Sequence, residues 1–305
     1  MLINAKAWTG NPSQPWVETI GIKGSRIIAV GSKSLETEFK ANKTIDAGGK
    51  LVLPGVIVNH VHFLDGAVTL LALEIAGIDR DTPDREGGLT VRDLNGDPTG
   101  MLKDNALLLV TRKMPKASDE QNTRMFNAAT EEGLKHGVTQ IYNVNERESQ
   151  WDNIAIFEKA KTEGRLKIRA YYIPHITNRH RLAERIKAPV KGDEWLRFGG
   201  VKQLVDGSLG STTAWYYQTY SDVPETSGFP LMQMDELKAT IADAHELGLQ
   251  LMIHAIGDRT NNEILRIFDE LNVKDSRPGI EHAQHLSPAC IKRFAELGVI
   301  PSMHP

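Results

Sequence analysis

The stretch Val56-Ile57-Val58-Asn59-His60-Val61-His62 marks the point where the sequence changes from alternating strands to repeated strand–helix units. Successive side chains of a strand point to opposite faces, so this run places His60 and His62 on the same face. Two imidazole groups on one face can share a cation. A histidine in an apolar strand is more often a hydrogen-bonded core residue, and this alternative stays open for each of the two.

The residues before this stretch predict a small β-rich region. Apolar and polar residues alternate in a strand-like way at 2–8, 19–30 and 44–53. We interpret these segments as antiparallel hairpins. Pro54-Gly55 punctuates their end, so we place a domain boundary after residue 54 and assign residues 1–54 to an N-terminal β-strand region.

Residues 55–305 predict a larger α/β domain. Seven apolar runs have the length of strands, at 56–61, 138–144, 166–173, 198–205, 249–254, 279–283 and 298–303. Segments with helical periodicity lie between most of them, at 119–136, 151–164, 234–247, 259–271 and 287–297. Repeated βα units indicate a parallel sheet, and their number favours a TIM-type (β/α) barrel, incomplete at seven strands, over an open sheet.

Further candidates for a metal site stand along the predicted strands, because such barrels place their reactive groups where strands end. His254 closes the fifth strand and His282 the sixth, so both are expected on one rim with the first two histidines. Lys202 lies inside the fourth strand, an unusual place for an ammonium group unless it is paired, catalytic or modified. An ordinary buried ion pair with Asp206 is the alternative for this lysine.

Other polar residues near strand ends are candidates for substrate binding. The loop that begins Asp206-Gly207-Ser208 follows the fourth strand, with glycine where the backbone turns tightly or approaches a ligand. An ordinary surface turn is the alternative for each of its residues. His175 and His285 also lie near strand ends, and we treat both as further candidates for substrate contact.

Composition favours small-molecule chemistry. The 305 residues include 36 basic and 39 acidic side chains, a formal charge of -3, which gives no electrostatic reason to expect nucleic acid as a partner. Cys290 is the only cysteine, so the sequence offers neither a disulfide nor a thiolate cluster. No window approaches the roughly 18 apolar residues that span a membrane, and the N-terminus lacks a secretory pattern. We therefore expect a cytoplasmic protein with a small-molecule substrate and no membrane partner.

Several separate stretches resemble the amidohydrolase superfamily, most of all its amidohydrolase-3, or YtcJ-like, branch. The matching motifs are Leu53-Pro54-Gly55, His60-Val61-His62-Phe63-Leu64-Asp65-Gly66, Val201-Lys202, Asp206-Gly207-Ser208-Leu209-Gly210-Ser211 with Thr213-Ala214, His254-Ala255-Ile256-Gly257-Asp258-Arg259 and Glu281-His282-Ala283-Gln284-His285. Together they extend over essentially the whole chain and are far more specific than any one motif. The resemblance also implies that the N-terminal strands form half of a composite β-sandwich.

The resemblance further implies a metal centre with up to two ions. His60 and His62 would bind one ion and His254 and His282 the other, with Lys202 bridging them as a carbamate formed with CO2. Zinc is the expected metal, and iron, manganese and nickel are alternatives. Activated water would attack a carbon–nitrogen bond other than a peptide bond, as in N-acyl or N-formyl amines and cyclic amides. Association into a homo-oligomer stays open.

The sequence departs from the pattern of that family in two places. The family's eighth barrel strand carries an aspartate that binds metal and moves a proton, and this general base has no counterpart, because the chain ends on the seventh predicted strand. A long segment that follows the His-Val-His strand in the family is also absent. These departures favour an alternative, a catalytically inactive remnant that retains partial metal binding. A sugar- or phosphate-handling barrel is disfavoured, because the sequence has no phosphate-binding loop motif.

Overall fold

The computed structural model describes residues 1–61, 77–111, 113, 117–145, 152–187 and 192–303. For residues 58–61 only the backbone is described. Two units make up the chain, Met1–Val56 and Ile57–Pro305, and their division lies two residues after the predicted boundary. Within these ranges, no helix combines the length and the apolar composition that a membrane crossing requires.

Short strands build the first unit. They are β1 Leu2–Ile3, β2 Lys6–Trp8, β3 Trp16–Val17, β4 Thr19–Lys23, β5 Arg26–Gly31, β6 Ile45–Asp46 and β7 Leu51–Val52, with helix α1 Leu35–Glu38 between β5 and β6. One sheet has the order β5-β4-β1-β6 and the other the order β3-β2-β7. The buried side chains of Ala5, Ala7 and Val17 form a small apolar cluster with half-buried neighbours from both sheets.

Strand pairing in this unit differs in part from the predicted antiparallel hairpins. The pairs β2–β3 and β4–β5 are antiparallel, whereas β6 pairs in parallel with β1, and β7 in parallel with β2. Gly48 and Gly49 lie between β6 and β7 with φ angles of +59° and +72°, which side-chain residues rarely adopt. This turn carries the chain from one sheet to the other, so the segment predicted as one hairpin contributes a strand to each.

The second unit alternates strands and helices. Its strands are β8 Val56–Val61, β9 Gly88–Arg92, β10 Pro98–Asp104, β11 Val138–Val144, β12 Arg169–Ile173, β13 Leu196–Phe198, β14 Gly200–Leu204, β15 Gln250–Ala255, β16 Gly279–His282 and β17 Ile300–Ser302. Its helices are α2 Leu108–Thr111, α3 Asp119–Lys135, α4 Ile154–Thr162, α5 Arg179–Lys187, α6 Met234–Glu246, α7 Asp258–Glu270 and α8 Pro288–Glu296. Each of the seven predicted strands has a counterpart, and the fourth is divided into β13 and β14.

Two parallel sheets form the centre of this unit. One has the order β13-β12-β11-β8 and the other the order β14-β15-β16-β17. They meet where β12 ends, because Lys202 donates its backbone N–H to the carbonyl oxygen of Pro174 at 2.9 Å. The predicted α/β class is therefore confirmed. Within the described residues, however, no ladder joins β17 back to β8, so these strands do not form a closed barrel.

Helices cover one face of the sheet β14-β15-β16-β17, and this leaves the opposite face for the residues of the candidate site. Val201, Leu251 and Ile280 are fully buried in an apolar cluster with Leu237 of α6. Burial of such side chains is the main favourable contribution to folding, at about 25 cal/mol for each Å² of apolar surface. Strand residues that alternate with these, such as Met252, point to the other face.

The sequence predicts neither the β9–β10 hairpin nor helix α5. In α5 the buried residues are Leu182 and Ala183, and the rest is rich in charge, so the apolar periodicity is weak. In β9 the buried residue is Thr90, which faces Leu102 across the hairpin. A strand with so little apolar burial lacks the alternation from which strands are predicted.

Candidate metal centre

His254 and His282 lie at the carboxyl ends of the neighbouring parallel strands β15 and β16, as the sequence predicts. Their rings meet edge to face, with centroids 4.6 Å apart and planes at 71°. His254 is 6% exposed and His282 is half-buried. Two imidazole groups therefore stand together at this rim, and one of them is shielded from bulk water.

His282 reaches His254 through an unusual backbone conformation. It pairs in register with Ala255, and like Ile280 it would face the helices if strand alternation continued. Positive φ angles, +73° at His282 and +40° at Ala283, end the alternation here. Such angles are strained for residues with side chains, and strain of this kind clusters at functional sites.

The hydrogen bonds of His254 determine which ring nitrogen is free. Nε2 lies 3.2 Å from the carbonyl oxygen of Gly207 and 3.3 Å from Oδ1 of Asp206. A carbonyl oxygen only accepts, so Nε2 carries the hydrogen and donates it. In the neutral ring Nδ1 then has a free lone pair, and it is buried without a hydrogen-bond partner among the described residues. A metal-ligating histidine has this arrangement, with its second nitrogen donating to a carbonyl or carboxylate.

Lys202 lies on β14, next to β15, and its side chain is fully buried. In register it stands opposite Met252, two residues before His254 on the same face of the sheet. Lysine is almost never fully buried unless it is paired, because an ammonium group loses its hydration in the interior. Lys202 therefore lies on the same face as His254, in the side-chain layer next to the rim. This position suits a residue whose terminal amine extends toward the rim.

Asp206 is fully buried and connects the loops that surround the two histidines. Its Oδ2 accepts hydrogen bonds from the backbone N–H groups of Trp215 and Gly257 and from the hydroxyl of Thr260, at 2.8 to 3.0 Å. Its Oδ1 accepts from the backbone N–H of Ile256 at 3.1 Å. Because protein groups bind both oxygens, the geometry favours an anchoring role for Asp206 over substrate contact.

The two histidines of the first predicted strand are described only in part. The backbone of His60 lies in β8, and His62 lies outside the described residues. Their roles as metal ligands therefore remain predictions.

The two candidate substrate contacts lie in different surroundings. His175 follows β12, and its Nδ1 forms a hydrogen bond with the hydroxyl of Thr177 at 2.8 Å. His285 packs edge to face on Tyr216, with ring centroids 5.2 Å apart. Nε2 of His285 is buried and has no hydrogen-bond partner within the described residues. Of the two, His285 therefore has the nitrogen that is free for a ligand.

Gly207 and Ser208 form a tight turn after β14. Ser208 donates its backbone N–H to Oγ1 of Thr213 at 3.2 Å. A Cβ atom on Gly207 would lie 1.9 Å from that same oxygen and 2.6 Å from Oδ1 of Asp104. Glycine is therefore required here by the close approach of neighbouring side chains rather than by its φ angle.

We expect Gly207→Ala to lower the free energy of unfolding by about 1–3 kcal/mol, because the new methyl group overpacks the turn. Gly210→Ala is the matched control, since a Cβ atom on Gly210 meets nothing within 4 Å. Urea unfolding of both variants gives the comparison. Equal urea midpoints for the two variants would contradict this expectation, because they would show that the turn accommodates the methyl group without loss of stability.

Two acids near this rim, the half-buried Asp104 and the buried Glu281, are absent from the predicted site residues. Asp104 ends β10, and its Oδ2 is buried without a hydrogen-bond partner in the described part of the chain. Burial raises the pKa of this carboxyl above its usual value, and a hydrogen bond with Thr213 and the nearby His254 oppose that shift. Glu281, which precedes His282, is 1% exposed. The motif that contains Glu281 is visible in the sequence, whereas nothing local marks Asp104.

The donor groups at the rim fit part of a site for a divalent metal. Zinc prefers imidazole nitrogen with carboxylate oxygen, and His254 offers a buried, free Nδ1 beside the ring of His282. Within the described residues, no three histidine, cysteine, aspartate or glutamate side chains are grouped closely enough to hold a metal. A complete site therefore needs a further ligand, and Lys202 could supply oxygen only as a carbamate.

Comparison with known proteins identifies the family. Residues 66–305 match the amidohydrolase-3 profile of the amidohydrolase family. The chain belongs to the amidohydrolase family. YtcJ of Bacillus subtilis, named as an amidohydrolase, is 31% identical over 246 residues, which are 78% of this chain and 45% of that protein. The protein LONG AFTER FAR-RED 3 of Arabidopsis thaliana is 27% identical over 393 residues, covering 100% of this chain and 67% of that protein.

A solved structure agrees with this amidohydrolase in fold. It is a metal-dependent hydrolase from Pyrococcus horikoshii, with a TM-score of 0.77 at 22% identity over 98% of this chain and 73% of that one. The predicted membership of the amidohydrolase-3 branch is thus confirmed, and this amidohydrolase is a hydrolase by family. The chain spans less than half the length of YtcJ.

Proposed function

We propose that this amidohydrolase hydrolyses carbon–nitrogen bonds of small molecules other than peptides, with a divalent metal, zinc first among the candidates. The observation that carries the proposal is the pair of imidazole rings of His254 and His282, in contact at the ends of adjacent parallel strands. The free and buried Nδ1 of His254 supports it further. Membership of a hydrolase family is consistent with this chemistry.

In the full site that we propose, His60 and His62 would hold one ion, and His254 and His282 would hold another. Lys202, as a carbamate, would be a ligand to both. Its ammonium first loses a proton to solvent, the resulting amine forms a nitrogen–carbon bond to CO2, and a second proton then leaves to solvent, so a cation is replaced by an anionic group with two donor oxygens. The full burial of Lys202 supports this step, because a carbamate held by two cations would be a compensated charge in the interior.

Other residues of the chain orient the ligands, anchor the loops and contact the substrate. When bound, a divalent cation supplies a water molecule of lowered pKa and polarises the carbonyl group of the substrate. His254 keeps its ring orientation because Nε2 donates to Gly207, and this leaves Nδ1 directed away from that loop. Asp206 holds the backbone of the loops after β14 and β15 in place. His285, with its free Nε2, is the residue that we assign to substrate contact.

The alternative of an inactive remnant has no support in these comparisons. Family membership and the paired histidines both favour a working hydrolase. Cytoplasmic location, a small-molecule substrate and association into a homo-oligomer accompany the proposal as untested expectations.

A hydrolysis screen tests the proposed function. N-acyl and N-formyl amines, cyclic amides and lactones are offered to the protein with zinc and bicarbonate, and product is measured with and without a chelator. We expect turnover of at least one carbon–nitrogen substrate that a chelator abolishes and that His254→Ala lowers roughly 100-fold or more. His136→Ala is the control, because this histidine is 73% exposed and paired with Glu132. Turnover confined to lactones, or unaffected by the chelator, would contradict the proposal.

A further inference from the structure

Arg259, in the first turn of α7, contacts two aromatic side chains of the loop that follows β14. Its guanidinium carbon lies 4.2 Å from the ring centroid of Trp215 and 5.6 Å from that of Tyr217. The face of an aromatic ring attracts a guanidinium group electrostatically, most strongly in tryptophan. These contacts restrict the orientation of the arginine, and we call the three residues the arginine–aromatic cluster.

The two aromatic residues have anchors of their own. Tyr217 donates its backbone N–H to Oδ1 of Asp258 at 3.1 Å, and its hydroxyl accepts a hydrogen bond from Nδ2 of Asn262 at 2.7 Å. The carbonyl oxygen of Trp215 approaches Gly257 so closely that a Cβ atom there would lie 2.0 Å from it. The loop is therefore attached to α7 by contacts that do not involve the guanidinium group.

The guanidinium group of Arg259 has no acidic partner among the described residues. No hydrogen bond or ion pair with that part of the chain engages its nitrogen atoms, and Nε is buried. The adjacent acid, Asp258, uses Oδ1 for the N–H of Tyr217 instead. Arginine presents its N–H groups in a planar fork that matches the two oxygens of a carboxylate. A half-buried fork without an acceptor favours the binding of such an anion.

Asp206 connects the arginine–aromatic cluster with the candidate metal centre. Its Oδ2 accepts the backbone N–H of Trp215 at 3.0 Å, and its Oδ1 lies 3.3 Å from Nε2 of His254. Arg259 also follows His254 closely in the chain, because α7 begins soon after β15 ends. The cation therefore lies at the same rim as the paired histidines, where it can hold one group of a substrate whose amide lies at the metal.

We propose that Arg259 binds a carboxylate group of the substrate, so that the substrates are amides that carry a carboxylate, such as N-acyl amino acids. This inference rests on the proposed function, because it names the substrate class of the same site. A carboxylate accepts two parallel hydrogen bonds from the guanidinium fork. A neutral amide leaves these donors unpaired, and a site built to form hydrogen bonds with one group discriminates strongly against analogues that lack it.

Equilibrium binding to the metal-free protein tests this substrate class, because the carboxylate then has no zinc to bind instead. Calorimetry compares N-acetyl amino acids with N-acetyl amines that have the same side chains and lack the carboxylate. We expect the acids to bind at least about 10-fold more tightly, as is typical of hydrogen bonds to charged groups, and Arg259→Met to remove the difference. Arg259→Lys should recover only part of it, because an ammonium group keeps the charge without the planar fork.

Arg169→Met is the matched control. Arg169 also contacts an aromatic ring, with its guanidinium carbon 4.8 Å from the ring centroid of Trp195. It begins β12, whereas the candidate metal centre lies at the carboxyl ends of the strands. This variant should keep the preference for acids. Equal or undetectable binding of acids and amines, or a preference that survives in Arg259→Met, would overturn the assignment, and so would an equal loss of both, which indicates a structural role.

Hydrolysis by the zinc-loaded protein separates this inference from the proposed function. We expect Arg259→Met to raise KM for N-acetyl amino acids at least about 10-fold and to leave kcat unchanged, as for a residue that binds substrate and transition state equally. Neutral amides hydrolysed as efficiently as the acids would overturn the substrate class and leave the proposed function standing. A preference in binding that depends on Arg259, without hydrolysis of any carbon–nitrogen bond, would overturn the proposed function and leave the carboxylate site.

Discussion

Asp206→Ala is expected to lower the free energy of unfolding by about 3–5 kcal/mol, the cost typical of breaking a buried charged network. The substitution leaves the backbone N–H groups of Trp215, Ile256 and Gly257 without their acceptor. Each buried donor that loses its partner costs about 1–3 kcal/mol. The loops after β14 and β15 should then separate, and the ring of His254 should lose its fixed orientation.

Urea unfolding measures this effect, with a loss of metal affinity expected alongside it. Asp222→Ala is the matched control in the same long connection, because Asp222 is exposed. A surface substitution of this kind changes stability by less than about 0.5 kcal/mol. If Asp206→Ala were no less stable than the Asp222 variant, Asp206 would not be the anchor that its hydrogen bonds indicate.

Lys202→Met is expected to lower zinc affinity more than about 100-fold while the protein stays folded. Substitution of a residue that only supports a metal ligand typically costs about 10- to 100-fold, so a larger loss indicates a ligand. Methionine has a similar volume and no charge, so it suits a fully buried position. Its thioether brings no buried polar group that would need a hydrogen-bond partner of its own. A large loss of metal binding without loss of stability would therefore separate a ligand from a core residue.

The carbamate itself can be observed in the same experiment. Protein prepared with ¹³C-bicarbonate should give a carbamate carbon signal that is missing in Lys202→Met and present in Lys238→Met. Lys238 is the control because it lies at the surface, where it pairs with Glu270 at 2.7 Å. A signal that persists in Lys202→Met, or zinc affinity unchanged by that substitution, would remove Lys202 from the metal centre.

The elements with strong apolar periodicity could be predicted from the sequence. Strand β11 has the predicted bounds, and α6 ends within one residue of the prediction, because each places apolar residues at regular intervals and is followed or preceded by glycine. His254 lies one residue before the end of its strand, which is within one residue of the predicted end, because the strand is mostly apolar up to that point. Patterns that extend over a few residues are therefore enough to predict where these strands and this histidine lie.

Features that depend on contacts between distant segments could not be predicted. The orientation of His282 depends on a positive φ angle, which strand alternation does not predict. Asp206 appears in the sequence as a loop residue, yet its partners follow β15 about fifty positions later. Asp104 belongs to a hairpin with little apolar burial, and its place beside Gly207 arises only in the folded chain. In each case the deciding interaction joins elements that local periodicity describes separately.

X-ray diffraction from zinc-loaded crystals, recorded on both sides of the zinc absorption edge, tests the metal centre most directly. The account predicts an anomalous peak about 2.0–2.1 Å from Nδ1 of His254 and from a ring nitrogen of His282. A peak bound only by surface residues, or no peak between these two rings at saturating zinc, would contradict it.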